Sequence, residues 1–253
     1  MEEKYALELI EKGKRIDERK FEEFRTIEIN RNVIPKAEGS AEVKFGETHV
    51  IVGVKIEPGE PFPDTPNEGM LSVGAEFTPM AAPEFEPGPP GEDAIELARV
   101  VDRGIRESKC IEMEKLCIVP GEKVWCVFID IYIISHQGNL LDCAALAALS
   151  ALLSARIPKL EGEKVIRTEF QGNLPVVFKP ITITVGKAAN RFLLDPTFVE
   201  ENILESKLTV CVMDDDKICA MQKQGGMELA IEEIEEMVDI VIAKSKEVRE
   251  LVK

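Results

Sequence analysis

Two groups of residues in this chain have the types and spacing to do chemistry. The first lies where a strand runs into a helix. WCVFIDIYII, residues 125–134, leads into the polar turn Ser135–His136–Gln137–Gly138–Asn139, and a long helix rich in small residues follows. Backbone N–H groups and the dipole at a helix start attract anions, so this is the layout of a phosphate cradle. The side chains of the first turn do not suit it. They are Leu140, Leu141 and Asp142, with no Arg, Lys, Ser or Thr among them, and Asp142 has the same sign as the anion. The second group is in ELARVVDRGIRESK, where Arg99, Arg103 and Arg106 stand at i, i+4 and i+7. On a helix they share one face within about 60°. Leu97, Val101 and Ile105 fall opposite and read as core. Three guanidinium groups in a row fit a phosphate backbone, because each offers a bidentate fork. The same spacing also fits a solvated face on which Glu96, Asp102 and Glu107 neutralise the row.

Other residue types point away from metal chemistry. The six cysteines lie mostly inside apolar runs, none forms C-x-x-C, and there are two histidines. A zinc site is not expected, and buried reduced thiols are. His136, alone at a strand end, reads as hydrogen-bonded to backbone, and Trp125 as packing in the core or an interface.

The elements that must position these residues follow from periodicity. Residues 1–13 predict a short helix with Tyr5, Ala6, Leu9 and Ile10 on one side, ending at Gly13. A strand is expected between Arg25 and Val33. GSAEVKFGETHVIVGVKIEP predicts a hairpin turning at Phe45–Gly46–Glu47–Thr48, and MLSVGAEFTPM another strand. Two Pro/Gly-rich loops, 57–69 and 83–92, flank that strand, and such loops often contact partners. CIVPGEKVWCVFIDIYII predicts two strands. The helix from 140 to 155 is apolar on almost every face and should be central and buried. PVVFKPITITVGKAANRFLLDPT and KLTVCVMDDDKICAMQKQGG supply at least four more strands, with a turn at Asp214–Asp215–Asp216. MELAIEEIEEMVDIVIAKSKEVRELVK, starting at Met227, predicts a long amphipathic helix, acidic first and basic last, as its dipole favours.

The bulk numbers set limits. A chain of 253 residues can form one large domain or two small ones. Its net charge of −16 should repel nucleic acid, so any such role needs a local basic patch or a partner. The opening MEEKYALELIEKGKR is acidic and lacks an apolar run, and no stretch approaches the roughly 20 apolar residues of a membrane span. No membrane role and a cytoplasmic location are expected.

Several segments together resemble the RNase PH family. KRIDER, 14–19, is similar to that family's R-x-D-x-R opening, and GSAEVKFGETHV, 39–50, to its G-S-x-x-x-x-x-G-x-T-x-V hairpin. PNEGMLSV, the arginine helix and DPTFVEENILESKLTV, 195–210, continue the resemblance in order over roughly residues 14–250. Within the family, the likeness runs to the non-catalytic RNase PH-like subunit of the archaeal exosome. The resemblance implies an α/β (α+β) fold of two βα halves, with mixed sheets and helices packed between and around them. It places an N-terminal helical extension at 1–24, a first half at 25–160 and a second half at 161–253.

Active members of the family use inorganic phosphate to remove nucleoside diphosphates from an RNA 3′ end. They need a G-T-R-S/T-A turn for phosphate and an aspartate pair spaced E-D-x-x-x-x-x-D, of which one acts as general acid. In this sequence the family's Arg falls on Leu141 and its hydroxyl residue on Asp142. The two aspartates fall on Glu201 and Lys207. The resemblance therefore implies a dismantled phosphate site, a dismantled acidic site and no catalysis by this chain. It implies no cofactor here, with inorganic phosphate, with or without magnesium, used by a catalytic RNase PH-like partner in a trimer of heterodimers. RNA-binding cap subunits and single-stranded RNA complete the implied partners, and Arg99, Arg103 and Arg106 match positions lining the RNA path. Two other functions fit the residues: a self-sufficient phosphate-dependent exoribonuclease with an unusual phosphate site, and an acidic interaction scaffold that touches no RNA.

Overall fold

Apolar–polar alternation builds the larger sheet. A computed structural model describes residues 1–252. Its strands Ile27–Arg31 (β1), Gly39–Phe45 (β2), Thr48–Gly59 (β3), Met70–Phe77 (β4), Cys117–Val119 (β5) and Lys123–Ser135 (β6) form one sheet. The order is β1-β2-β3-β6-β4, with β5 also paired to β6. Along β6, Val127, Ile129, Ile131 and Ile133 are buried, while Phe128, Asp130 and Tyr132 face outward, the two-residue period of a strand with one covered face. The hairpin of β2 and β3 turns at Gly46–Glu47, as expected.

The smaller sheet consists of Ile181–Ala188 (β9), Arg191–Leu194 (β10), Ser206–Val212 (β11) and Ile218–Gln224 (β12), in the order β10-β9-β11-β12. Only the larger one is mixed, through its parallel β4–β6 pair, and the smaller is antiparallel throughout. The connections explain this. A parallel pair needs a long crossover, and the segment between β4 and β6, which carries the helix Glu92–Glu107 (α2), supplies one. A further hairpin, Arg156–Glu161 (β7) with Lys164–Asn173 (β8), was not foreseen. Much of it is exposed and its register slips twice near Pro158, so it leaves no clean alternation to read. The boundary drawn between residues 160 and 161 falls inside β7.

Between the sheets lies Leu140–Ser154 (α3), buried on most of its surface, as an all-round apolar helix must be. It packs on β2 and β3 and also touches β9. Beside it α2 covers β4 and reaches β12. The chain opens with Glu2–Glu11 (α1), where Ala6 and Ile10 are buried but Tyr5 is exposed. A single turn, Phe198–Glu201 (α4), joins β10 to β11. The last helix, Ile231–Leu251 (α5), packs on β9 and β11. Its buried stripe is Met237, Val241, Ser245 and Val248. Met227 and Ile231, expected at the start of that stripe, are exposed, and the helix begins only at Ile231. No helix among the described residues is long and apolar enough to cross a membrane.

Candidate functional site

The turn between β6 and α3 is held from three sides. Gly138 sits at φ +92°, and a Cβ there would meet the Pro196 carbonyl oxygen at 2.3 Å, so only glycine lets this turn lie against residues 196–198. The Thr48 hydroxyl donates to the Gly138 carbonyl at 2.7 Å and accepts the Gln137 N–H at 3.2 Å. Arg25 donates to the carbonyls of Gln137 and Gly138 at 2.8 and 3.1 Å. His136 accepts the Gly138 N–H through Nδ1 at 3.3 Å, the backbone role expected of it. Its ring is stacked on Phe85 and meets Phe198 edge-on, and burial holds its pKa below the ordinary value.

Beneath this turn runs a buried ionic network that the sequence did not announce. Asp195 is fully buried and accepts Arg25 Nε at 2.9 Å, Arg25 Nη2 at 2.6 Å, Arg19 Nη1 at 3.1 Å and Asn139 Nδ2 at 3.0 Å. Burial opposes its charge, but the Arg25 bonds prevail and hold its carboxyl below the usual carboxylate range. Arg15 is equally sealed. It grips Glu200 at 2.6 and 2.9 Å and donates to the carbonyls of Leu194 and Asp195. The segments KRIDER and DPTFVEE are thus fastened to each other. The signal that could have linked them was their charge complementarity, an arginine-rich segment facing an acidic one.

The structure brings Glu201 and Lys207 together, and it brings both to the helix mouth. Glu201 Oε2 accepts the N–H of Asn139, the residue just before α3, at 2.9 Å. Its other oxygen pairs with Lys207 Nζ at 2.8 Å. Leu141 is half-buried against the core and offers no donor. Asp142 corrects an expectation. Its carboxylate does not face the mouth; it is 1% exposed and turned toward β9. There it accepts the Thr184 N–H at 3.0 Å and the Thr184 hydroxyl at 2.7 Å. The reason is helical phase: the side chain two positions beyond Leu140 points at the smaller sheet. The negative charge at the mouth comes from Glu201 instead. A free anion approaching the mouth would meet a carboxylate already seated there.

The arginine row stands apart, and none of its members bonds to the mouth. Arg99, Arg103 and Arg106 are exposed on α2, with Leu97, Val101 and Ile105 buried opposite, as the spacing predicts. Among the described residues, Arg99 and Arg103 have no ion pair or hydrogen bond, while Arg106 pairs with Asp102 at 2.7 Å and bonds the Leu71 carbonyl at 3.1 Å. Glu96, a candidate neutraliser, instead accepts the side-chain amides of Gln222 and Gln224 on β12. The acidic neighbours thus neutralise one arginine of three. No group of three or more metal-ligating side chains occurs among the described residues.

The fold recurs in known proteins. Residues 23–158 match the 3′ exoribonuclease family, domain 1, and residues 180–244 match its domain 2. The chain is 46% identical to exosome complex component Rrp42 of Thermococcus onnurineus, over 98% of this chain and 93% of that one. It superposes with a TM-score of 0.93 on a chain of the Archaeoglobus fulgidus exosome with RNA bound to the active site, at 46% identity, covering 100% of this chain and 98% of that one. A chain of an archaeal exosome core superposes with a TM-score of 0.88 at 43% identity, covering 99% of this chain and 96% of the other.

Proposed function

We propose a function from the premise that the chain belongs to the 3′ exoribonuclease family, whose two domains it carries. The chain is a subunit of an archaeal-type exosome, a phosphorolytic complex that shortens RNA from its 3′ end, and it is a non-catalytic one. It shapes the ring and grips RNA near the active site of a catalytic RNase PH-like partner. The observation that carries the reading is the Asn139–Glu201–Lys207 arrangement.

Phosphorolysis needs a bound phosphate and a proton for the leaving ribose oxygen. At the helix mouth this chain has a leucine where a cation would stand and its own carboxylate on the backbone amide. Charge repulsion adds to the missing bidentate bond, together several kcal/mol of anion binding. Glu201 is held by Lys207 and Asn139 rather than aimed at a substrate. No cofactor is assigned to this chain; inorganic phosphate, with or without magnesium, belongs to the partner.

Arg99 and Arg103 carry unshared charge on an exposed face, which suits contact with the backbone of single-stranded RNA without regard to sequence. Arg106 contributes less, because Asp102 already holds it. Further partners in this reading are the catalytic subunit in a trimer of heterodimers and RNA-binding cap subunits, in the cytoplasm.

The test is phosphate-dependent shortening of a labelled single-stranded RNA by the pure chain, alone and mixed with the catalytic subunit. Silence alone and activity in the mixture is the expected result. Nucleoside diphosphate release by the chain alone would overturn the reading and favour a self-sufficient enzyme.

A further inference from the structure

We propose that Cys211 and Cys219 form a reversible disulfide across the β11–β12 hairpin, which makes this hairpin a peroxide-responsive site. The strand register brings them together. Cys211 faces Ala220, but the next residue, Val212, faces Ile218, so Cys219 is the extra residue of a β-bulge. In regular alternation, Cys219 would point away from the face that Cys211 and Ala220 share. A bulge sets two residues against one partner and re-aims a side chain.

The sulfurs accordingly converge on one atom of α2. The Gly104 carbonyl oxygen lies 4.0 Å from Cys211 Sγ and 3.9 Å from Cys219 Sγ. Cys219 Sγ also donates to the Cys211 carbonyl oxygen at 3.4 Å, which sets its side chain alongside Cys211. A Cβ on Gly104 would stand 3.2 Å from Cys211 Sγ, so the bare backbone of α2 is what leaves room for the pair.

The two thiols are unequal in the way a peroxide reaction needs. Cys219 is half-buried on the edge strand β12, and Cys211 is 3% exposed behind it. The neighbouring Cys211 side chain draws the Cys219 thiol below its ordinary range, against the effect of burial. The Cys219 side chain, together with burial, pushes Cys211 well above it. Cys219, the sulfur that a peroxide can reach, is therefore the attacking thiol and Cys211 the resolving thiol.

In the first step the Cys219 sulfur bonds one peroxide oxygen, the O–O bond breaks and hydroxide leaves. In the second, the Cys211 sulfur attacks the resulting sulfenic acid, the S–O bond breaks, and water leaves with the Cys211 proton. Two thiols are oxidised and one peroxide is reduced to two waters. The third nearby thiol, Cys110, is buried, bonds the Phe178 carbonyl oxygen and is pushed up to about 12 by burial, so it does not compete. None of this depends on α2 contacting RNA.

The test treats the full reduced chain with hydrogen peroxide, alkylates it without reductant and maps its peptides by mass spectrometry. The expected result is a peptide spanning residues 211–219 that is lighter by two hydrogens and not alkylated, with dithiothreitol restoring both thiols. In Cys211→Ser, the sulfenic acid on Cys219 should persist and be trapped by dimedone. In Cys219→Ser, Cys211 should stay reduced. The wild-type result stands alone if either variant fails to fold. Both cysteines alkylated after peroxide, a sulfinic acid on Cys219 in the wild-type chain, or a bond from either to Cys110 would overturn the proposal.

Discussion

Asp142 sits with its carboxyl group sealed between α3 and β9, and burial carries its pKa to about 7 against the hydrogen bonds of Thr184 and Asn139. Unfolded, it would titrate near 3.8. The sign follows directly. A raised carboxyl favours the folded state below the unfolded pKa and loses that advantage as pH rises from about 4 to about 7. The accumulated loss is on the order of 4 kcal/mol above neutrality. Asn at 142 cannot ionise and can still exchange hydrogen bonds with Thr184. Asp142→Asn should therefore be more stable than the parent chain at pH 8. Its advantage should be larger there than at pH 5 by about 2 to 3 kcal/mol. Urea unfolding of both chains at the two pH values measures this, and an equal difference at both would show that Asp142 is not the group titrating. Asp195 behaves in the opposite sense, since Arg25 stabilises its ionised form.

At the scale of elements, the segment after α1 works as a strap. Residues Arg15 to Arg25 leave the first helix, cross to the smaller sheet and deliver three arginines to Asp195 and Glu200. The Arg15–Glu200 pair is fully buried on both sides. Removing one member of such a pair leaves an uncompensated charge and costs about 3–5 kcal/mol, whereas replacing both costs less. Arg15→Met alone should lower the urea midpoint sharply, and adding Glu200→Gln should recover part of the loss. Strictly additive losses in the double variant would sink the idea that the two charges are coupled. Because Asp195 also accepts a bond from Asn139, loosening the strap should disturb the α3 mouth before it disturbs the larger sheet.

For the whole molecule, the decisive quantity is how an acidic chain meets a polyanion. The net charge of −16 opposes RNA, yet α2 presents two arginines with no partner among the described residues. In the assembled complex, Arg99→Glu with Arg103→Glu should weaken RNA binding and flatten its salt dependence. The log–log slope should fall by roughly 0.7 for each RNA phosphate that is no longer neutralised. Arg106→Ala should do less, since Asp102 is its first partner. Binding titrations at several salt concentrations check both, and an unchanged slope in the double variant would leave the chain a scaffold that does not touch RNA.

Much of this was legible in the sequence alone, because it rests on short-range periodicity. Alternation in β6, the apolar run of α3 and the spacing of Arg99, Arg103 and Arg106 follow from local repeat lengths, and the structure reproduces them. Residue types also stated that Leu141 offers no donor to an anion. What the sequence could not state is where a side chain points when tertiary packing chooses its face. Asp142 lies in the first turn of α3, yet the smaller sheet draws it inward, and Glu201, 62 residues from Asn139, fills the mouth in its place. Arg15 meets Glu200 across 185 residues, and the Cys219 bulge depends on the register of β12 against β11. Such contacts are made between elements rather than within them, and the free energy of burying a charge or closing a register exists only once both elements are in place.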